Sequence, residues 1–275
     1  MADRGRPLSH RSIWAAQWVT MAGLVVYVLA VSLLSPAIAR AGAASVGAGV
    51  VLALVPVLLW LLLFYVQDAA EPEPVGYVLR VAAAAAVLAA VIAVPVLRRL
   101  ASTSWLAAGP MPNLLASILL VGATQEFCKY LAVRFTVFET TEFDEVADGV
   151  TYGTAAGLGV ATMLNLAFVL ASASIAPLPT AIRIVVTSLS HAAFGGVLGF
   201  FLGRAKIFGE YGRVVWGFVL ACVLNGIVAY AVREITQTGL TVNPWYGLVF
   251  AAAVAVAVTL ALLRAARRAP QGVPA

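Results

Sequence analysis

The chain has 275 residues, 63% of them apolar and 11% charged, with a formal net charge of +5. A soluble domain carries about 25% charged residues, and several stretches here reach the roughly 20 apolar residues that one helical bilayer crossing needs. A water-soluble core is excluded. The positive charge sits on arginines at the ends of apolar runs, without the interleaved aromatics of a nucleic-acid surface, so no nucleic-acid partner is expected. Cys128 and Cys222 both fall inside apolar runs and offer no disulfide framework.

In chain order, spans are expected near 14–35, 46–66, 76–97, 113–137, 148–173, 180–203, 213–232 and 245–264. None shows the period-2 alternation of a membrane β-barrel. The expected fold class is all-α, a polytopic transmembrane helical bundle of about eight spans, in one integral membrane domain over 1–275. The first run is too long for the apolar region of a cleaved leader and is expected to remain a span. Eight crossings leave both termini on one side. That side holds Arg4, Arg6, Arg11, Arg204, Lys206, Arg213, Arg264, Arg267 and Arg268, against Arg40, Arg98, Arg99 and Arg233 on the other. Lys and Arg favour the cytoplasmic face, so both termini are expected to be cytoplasmic. Trp14, Trp18, Trp60, Trp105, Trp216 and Trp245 lie toward span ends, where interfacial anchors sit. The Ala, Val and Arg usage is that of a GC-rich bacterial genome. The expected location is a bacterial inner membrane, with membrane lipids as partners.

The first three spans and the last are bland; the polar residues gather in the middle. Span four carries Gln125, Glu126 and Lys129. Spacings of three and four residues put them on one helix face. A charge at mid-membrane costs roughly 2.5–3.5 kcal/mol on insertion scales and needs a partner. The set therefore reads either as a neutralised packing pair or as a functional site. Span six carries His191, a packing residue or a ligand, and Asn165 and Asn225 read as hydrogen-bonding glue between helices. Gly149, Gly153 and Gly157 on span five, and Gly195, Gly199 and Gly203 on span six, form small-residue ladders that let backbones approach closely. His191 should then emerge from a packed face. Two loops are acidic: Asp68, Glu71 and Glu73 before span three, and Glu139, Glu142 and Glu145 before span five, the latter reading as a solvated face.

The order of motifs, an EPEP loop, QEFCKY, FDEVADGVTYGTAAGLGVATMLN and SHAAFGGVLGFFLG, resembles the PrsW-type intramembrane metalloprotease family. That family is distantly similar to the CAAX-processing membrane proteases. The family-like core runs from about 68 to 230, with flanking spans at 14–66 and 245–264. The resemblance implies peptide-bond hydrolysis at a divalent metal, zinc by the chemistry of such sites, held by Glu and His from neighbouring spans. Carried over by position, Glu126, Lys129 and Gln125 fall at the catalytic motif, His191, Glu126 and Asn225 at the metal positions, and Asp148, Tyr152 and Asn165 in supporting places. Five positions depart from the pattern. Gln125 stands for a Glu, Leu164 for a Glu and Asn225 for a His; Phe168 and Ala229 replace a Tyr and an Asn. A carboxamide is no general base, and Cys222 is the one further potential ligand near Asn225.

Three functions stay open: a membrane protease, a non-catalytic pseudoprotease that holds a transmembrane segment or a lipid, and a small-solute transporter built on the same polar residues. Transporters commonly carry internal repeats, and none is evident between the two halves.

Overall fold

A computed structural model describes residues 11–67, 74–101, 109–238 and 241–268, and side chains over 18–62, 74–100, 109–236 and 243–266. Arg4, Arg6, Trp105 and the acidic Asp68, Glu71 and Glu73 lie outside the described residues, as do the side chains of Arg11, Trp14, Arg267 and Arg268.

Among the described residues eight helices are long and apolar enough to cross a membrane: Trp18–Arg40, Gly42–Leu62, Val75–Leu100, Pro110–Thr136, Val146–Leu170, Pro177–Phe208, Gly212–Thr236 and Pro244–Ala266. They are the first to eighth spans below, and they match the eight apolar runs. Proline opens the fourth, sixth and eighth helices, where its missing N–H has no intrahelical partner to lose. Gly209, at φ 69°, ends the sixth, a left-handed turn that glycine adopts without Cβ strain. A two-residue hairpin pairs Gln237 with Val242 and Thr238 with Thr241 between the last two spans.

The fifth and sixth spans form the centre. Their apolar stretches are 61% and 78% buried, against 22–39% in the other six, so lipid surrounds the latter. The two central helices meet antiparallel, glycine against backbone. A Cβ on Gly153 would lie 2.2 Å from the Gly195 carbonyl oxygen, and one on Gly199 1.9 Å from that of Gly149. Contact that close exists because no Cβ stands between the helices. One apolar core lies mainly among the second to fifth spans, with Leu198, Leu202 and Ala221 at its edge, and a second joins chiefly the first, sixth and eighth. Trp60 belongs to the former and is only 4% exposed. The anchor reading fails for it, because neighbouring spans cover the indole; Trp216, 71% exposed, sits as an anchor would.

Two spans depart from regular winding. Residues Ala89–Ala93 form a π-type turn just before Pro95. A proline cannot donate to residue i−4 and its ring crowds that carbonyl, so the widened turn absorbs the mismatch. Residues Ser117–Gly122 form a second such turn, next to Ser117 Oγ, which donates to the Asn113 carbonyl at 2.9 Å. This turn sets the rotation of the helix that carries Gln125 and Glu126.

The loop before the fifth span is tied down. Lys206 Nζ donates to the Phe138 and Thr140 carbonyls at 2.5 and 2.8 Å, and Arg134 pairs with Glu139. Glu139 and Glu145 are exposed, as a solvated face requires, whereas Glu142 is half-buried; Glu145 also caps the fifth helix in a reciprocal box with Asp148. In the last turns of the sixth span Arg204 forks onto Glu210, just past its end, at 2.5 and 2.8 Å. Hydrogen bonding from that guanidinium holds the Glu210 carboxyl below its usual range.

Candidate functional site

Close helix contact assembles the polar cluster. A Cβ on Gly122 would meet the Cys222 carbonyl at 2.4 Å, and one on Gly226 the Ile118 backbone at 2.3 Å. The fourth and seventh spans therefore touch along the stretch that carries Glu126 and Asn225. A Cβ on Gly157 would fall 2.0 Å from the His191 carbonyl oxygen, so the fifth and sixth spans touch at His191.

Glu126 and Lys129 are both fully buried, and Lys129 Nζ lies 2.6 Å from Glu126 Oε1. Asn225 Nδ2 donates to the same oxygen at 2.7 Å. The ammonium also donates to the His191 backbone carbonyl at 3.2 Å and stands 5.9 Å from the Phe194 ring centroid. Four spans thus converge: the fourth gives the ion pair, the seventh an amide, the sixth a carbonyl, and the fifth the glycine that admits it. Two buried atoms in the group have no hydrogen-bond partner, Glu126 Oε2 and His191 Nδ1. Gln125 is 5% exposed, and its side chain makes no hydrogen bond with a described residue.

The remaining expected residues sit elsewhere. Asp148 Oδ2 accepts the backbone N–H groups of Asp144 and Glu145 at 2.9 and 2.6 Å, which makes it part of the fifth helix's start. Tyr152 is buried against Phe143, ring centroids 5.7 Å apart. Asp148 precedes Gly157 by nine residues and Asn165 follows it by eight, roughly 14 and 12 Å along the helix axis in opposite directions. Neither stands at the depth of the Glu126 cluster. Asn165 instead donates to the Ile184 carbonyl at 3.4 Å and accepts from Arg183 Nη1 at 3.3 Å. Arg183 was not among the expected residues; an arginine six residues inside an apolar span was the signal that pointed to it. Replacing Asp148 with alanine should cost about 1 kcal/mol, as loss of a helix cap does, read as a shift in unfolding midpoint; an unchanged midpoint would contradict the capping role.

Cavities among the described residues include the following pair. A small one of about 40 Å³ is lined in part by Thr20, Thr154, Ser188 and Thr259. A larger apolar one of about 390 Å³ lies among the first, sixth and eighth spans. Neither is lined by Glu126, Lys129, His191 or Asn225.

Residues 73–262 match the family model described as PrsW family intramembrane metalloprotease. The chain belongs to the PrsW family. The protease PrsW of Geobacillus kaustophilus is 32% identical over 167 residues, 60% of this chain and 70% of that protein. The protease PrsW of Halalkalibacterium halodurans is 30% identical over 56% of this chain and 68% of its own length. That of Bacillus subtilis is 26% identical over 67% and 85%. No solved structure matches. The chain is therefore a multi-pass membrane protein of an intramembrane metalloprotease family, and the family implies a metal ion.

The donors present do not fit a catalytic metal. Such a zinc site uses three protein ligands and keeps one position for water. Among the described residues no three of His, Cys, Asp and Glu come together. Of the expected ligands, Glu126 has one oxygen already bound twice, His191 offers Nδ1, and Asn225 turns its amide N–H₂ toward Glu126 rather than an oxygen toward a shared centre. Charge points the same way. Glu126 and Lys129 sum to zero, and a dication added beside them would be left with no anion to offset it in a low-dielectric interior.

Proposed function

We propose that this chain is a non-hydrolytic member of the PrsW family that holds a transmembrane peptide segment in the bilayer. The observation that carries this reading is the commitment of Glu126, the one carboxylate of the cluster, to Lys129 and Asn225. A carboxylate held by an ammonium and an amide serves poorly as a proton acceptor, and Gln125 cannot replace it. The family scaffold supports binding of membrane-embedded peptide, and the apolar cavity among the first, sixth and eighth spans offers such a segment a surface.

One observation favours the alternative, a working protease: Glu126 Oε2 and His191 Nδ1 are both buried and unpartnered. Metal content separates the two. After zinc loading, the purified chain is expected to hold far less than one zinc per molecule. A Gln125→Glu, Asn225→His double variant, which restores two of the family's residue types, should gain zinc. Reconstituted with a synthetic transmembrane peptide, the unaltered chain should retain the peptide without cleaving it. Near-stoichiometric zinc that His191→Ala abolishes, together with peptide cleavage, would sink the non-hydrolytic reading.

A further inference from the structure

Arg183 is the seventh residue of the sixth span, roughly 9 Å along the helix from its start. Its side chain is exposed at the surface of the bundle. The guanidinium carbon lies 3.9 Å from the centroid of the Phe168 ring, and Nη1 donates to Asn165 Oδ1 at 3.3 Å. Asn165 is itself fixed, because its Nδ2 donates to the Ile184 carbonyl and so turns the amide oxygen toward the arginine. The guanidinium is held on one face and at one corner.

Among the described residues it has no anion beside it, and no salt bridge to Arg183 exists there. The acidic residues of 139–148 and Glu210 lie at the opposite ends of the fifth and sixth spans, and Glu234 pairs with Arg233. A cation on the lipid side of a span requires a counter-charge or access to the headgroups. Phe168 lies two residues from the end of the fifth span, roughly 3 Å along the axis, so the stacked guanidinium stands close to headgroup depth. There each phospholipid offers a phosphate, and the fork of an arginine matches phosphate oxygens two at a time. One of its five N–H donors is used by Asn165, which leaves the others for that purpose.

We propose that Arg183, set by Asn165 and Phe168, binds the phosphodiester of one phospholipid in the leaflet that meets the 171–176 connection. Pre-organisation distinguishes this site from an arginine that merely reaches toward water. The ring and the amide remove rotamer freedom before the lipid arrives, so binding should depend on Phe168 as well as on charge.

The test is native mass spectrometry of the delipidated, detergent-solubilised full chain. It is titrated with phosphatidylglycerol, phosphatidylcholine and diacylglycerol of the same acyl chains. Both phospholipids should fill a first site about tenfold or more tightly than diacylglycerol, the margin expected of charge-assisted hydrogen bonds. Arg183→Gln should remove that preference. Arg183→Lys should keep part of it, and Phe168→Leu should weaken it with the charge intact. Tryptophan-fluorescence melts establish that each variant is folded, and the comparison with diacylglycerol needs no variant at all. Diacylglycerol binding as tightly as the phospholipids, or a folded Arg183→Gln chain that keeps the preference, would overturn the proposal. So would displacement of bound phospholipid by inorganic phosphate, or by a peptide carboxylate, at equal concentration, since the site would then belong to a free anion or to a peptide.

Discussion

Glu126→Leu is expected to destabilise the bundle by about 3–5 kcal/mol, the cost of stripping one partner from a buried ion pair. Lys129 is fully enclosed, and without Glu126 its ammonium keeps only the His191 carbonyl at 3.2 Å and a distant aromatic face. Asn225 Nδ2 loses its acceptor in the same step. Lys129→Met alone should cost a similar amount, because Glu126 would then be buried against one amide. The double variant, Glu126→Leu with Lys129→Met, should recover most of the loss, since a neutral apolar pair has no charge left to solvate. A double-mutant cycle on unfolding in mixed detergent measures the coupling. Additive single costs would mean that the two side chains do not share one interaction. A Glu126→Leu chain as stable as the parent would refute the buried pair outright. The cycle also bears on function. A pair whose chief effect is structural fits a scaffold that has lost its chemistry, and the zinc measurement then decides whether any chemistry survives.

The sequence made some of this legible and hid the rest for identifiable reasons. Eight apolar runs were visible because membrane helices satisfy their own backbone hydrogen bonds and need only length and hydropathy to declare themselves. The Glu126–Lys129 contact was visible too, because i and i+3 share a helix face. Asn225 on the same carboxylate was not, being 99 residues away on another helix; only the packing of Gly122 and Gly226 brings it there. The His191 carbonyl as an acceptor for Lys129 leaves no mark in any side chain. Trp60 misled for a related reason. Its place near a span end is where an anchor would lie, and burial by the neighbouring spans cannot be read from one helix. The widened turn at Ala89–Ala93 had a signal in Pro95, whereas that at Ser117–Gly122 had none as strong. Arg183 stood in plain view within an apolar run, and its meaning emerged only with Asn165 and Phe168 beside it.

The glycine ladder supports the last prediction. Alanine at Gly153 or Gly199 should destabilise the fold by about 1–3 kcal/mol each, and the pair by more than about 3 kcal/mol, because the added methyl meets rigid backbone. Its nearest neighbours would be carbonyl oxygens at 2.2 and 1.9 Å, and a helix backbone cannot rotate aside as a side-chain end can. The fifth and sixth spans must separate to admit it. Gly47→Ala is the matched control. A Cβ there meets nothing within 4 Å, so the change should be neutral or stabilising by up to about 1 kcal/mol through helix propensity. Equal midpoints for Gly47→Ala and Gly153→Ala would show that the ladder is not in contact. Separation of these two helices has a second consequence. Asn165 and Phe168 ride on the fifth span and Arg183 on the sixth, so a chain carrying Gly153→Ala that still folds should also lose part of its preference for phospholipid over diacylglycerol. Gly47→Ala should leave that preference untouched. Both effects come from one interface, and a ladder variant that lost stability while keeping full lipid discrimination would separate the packing of the two spans from the setting of Arg183.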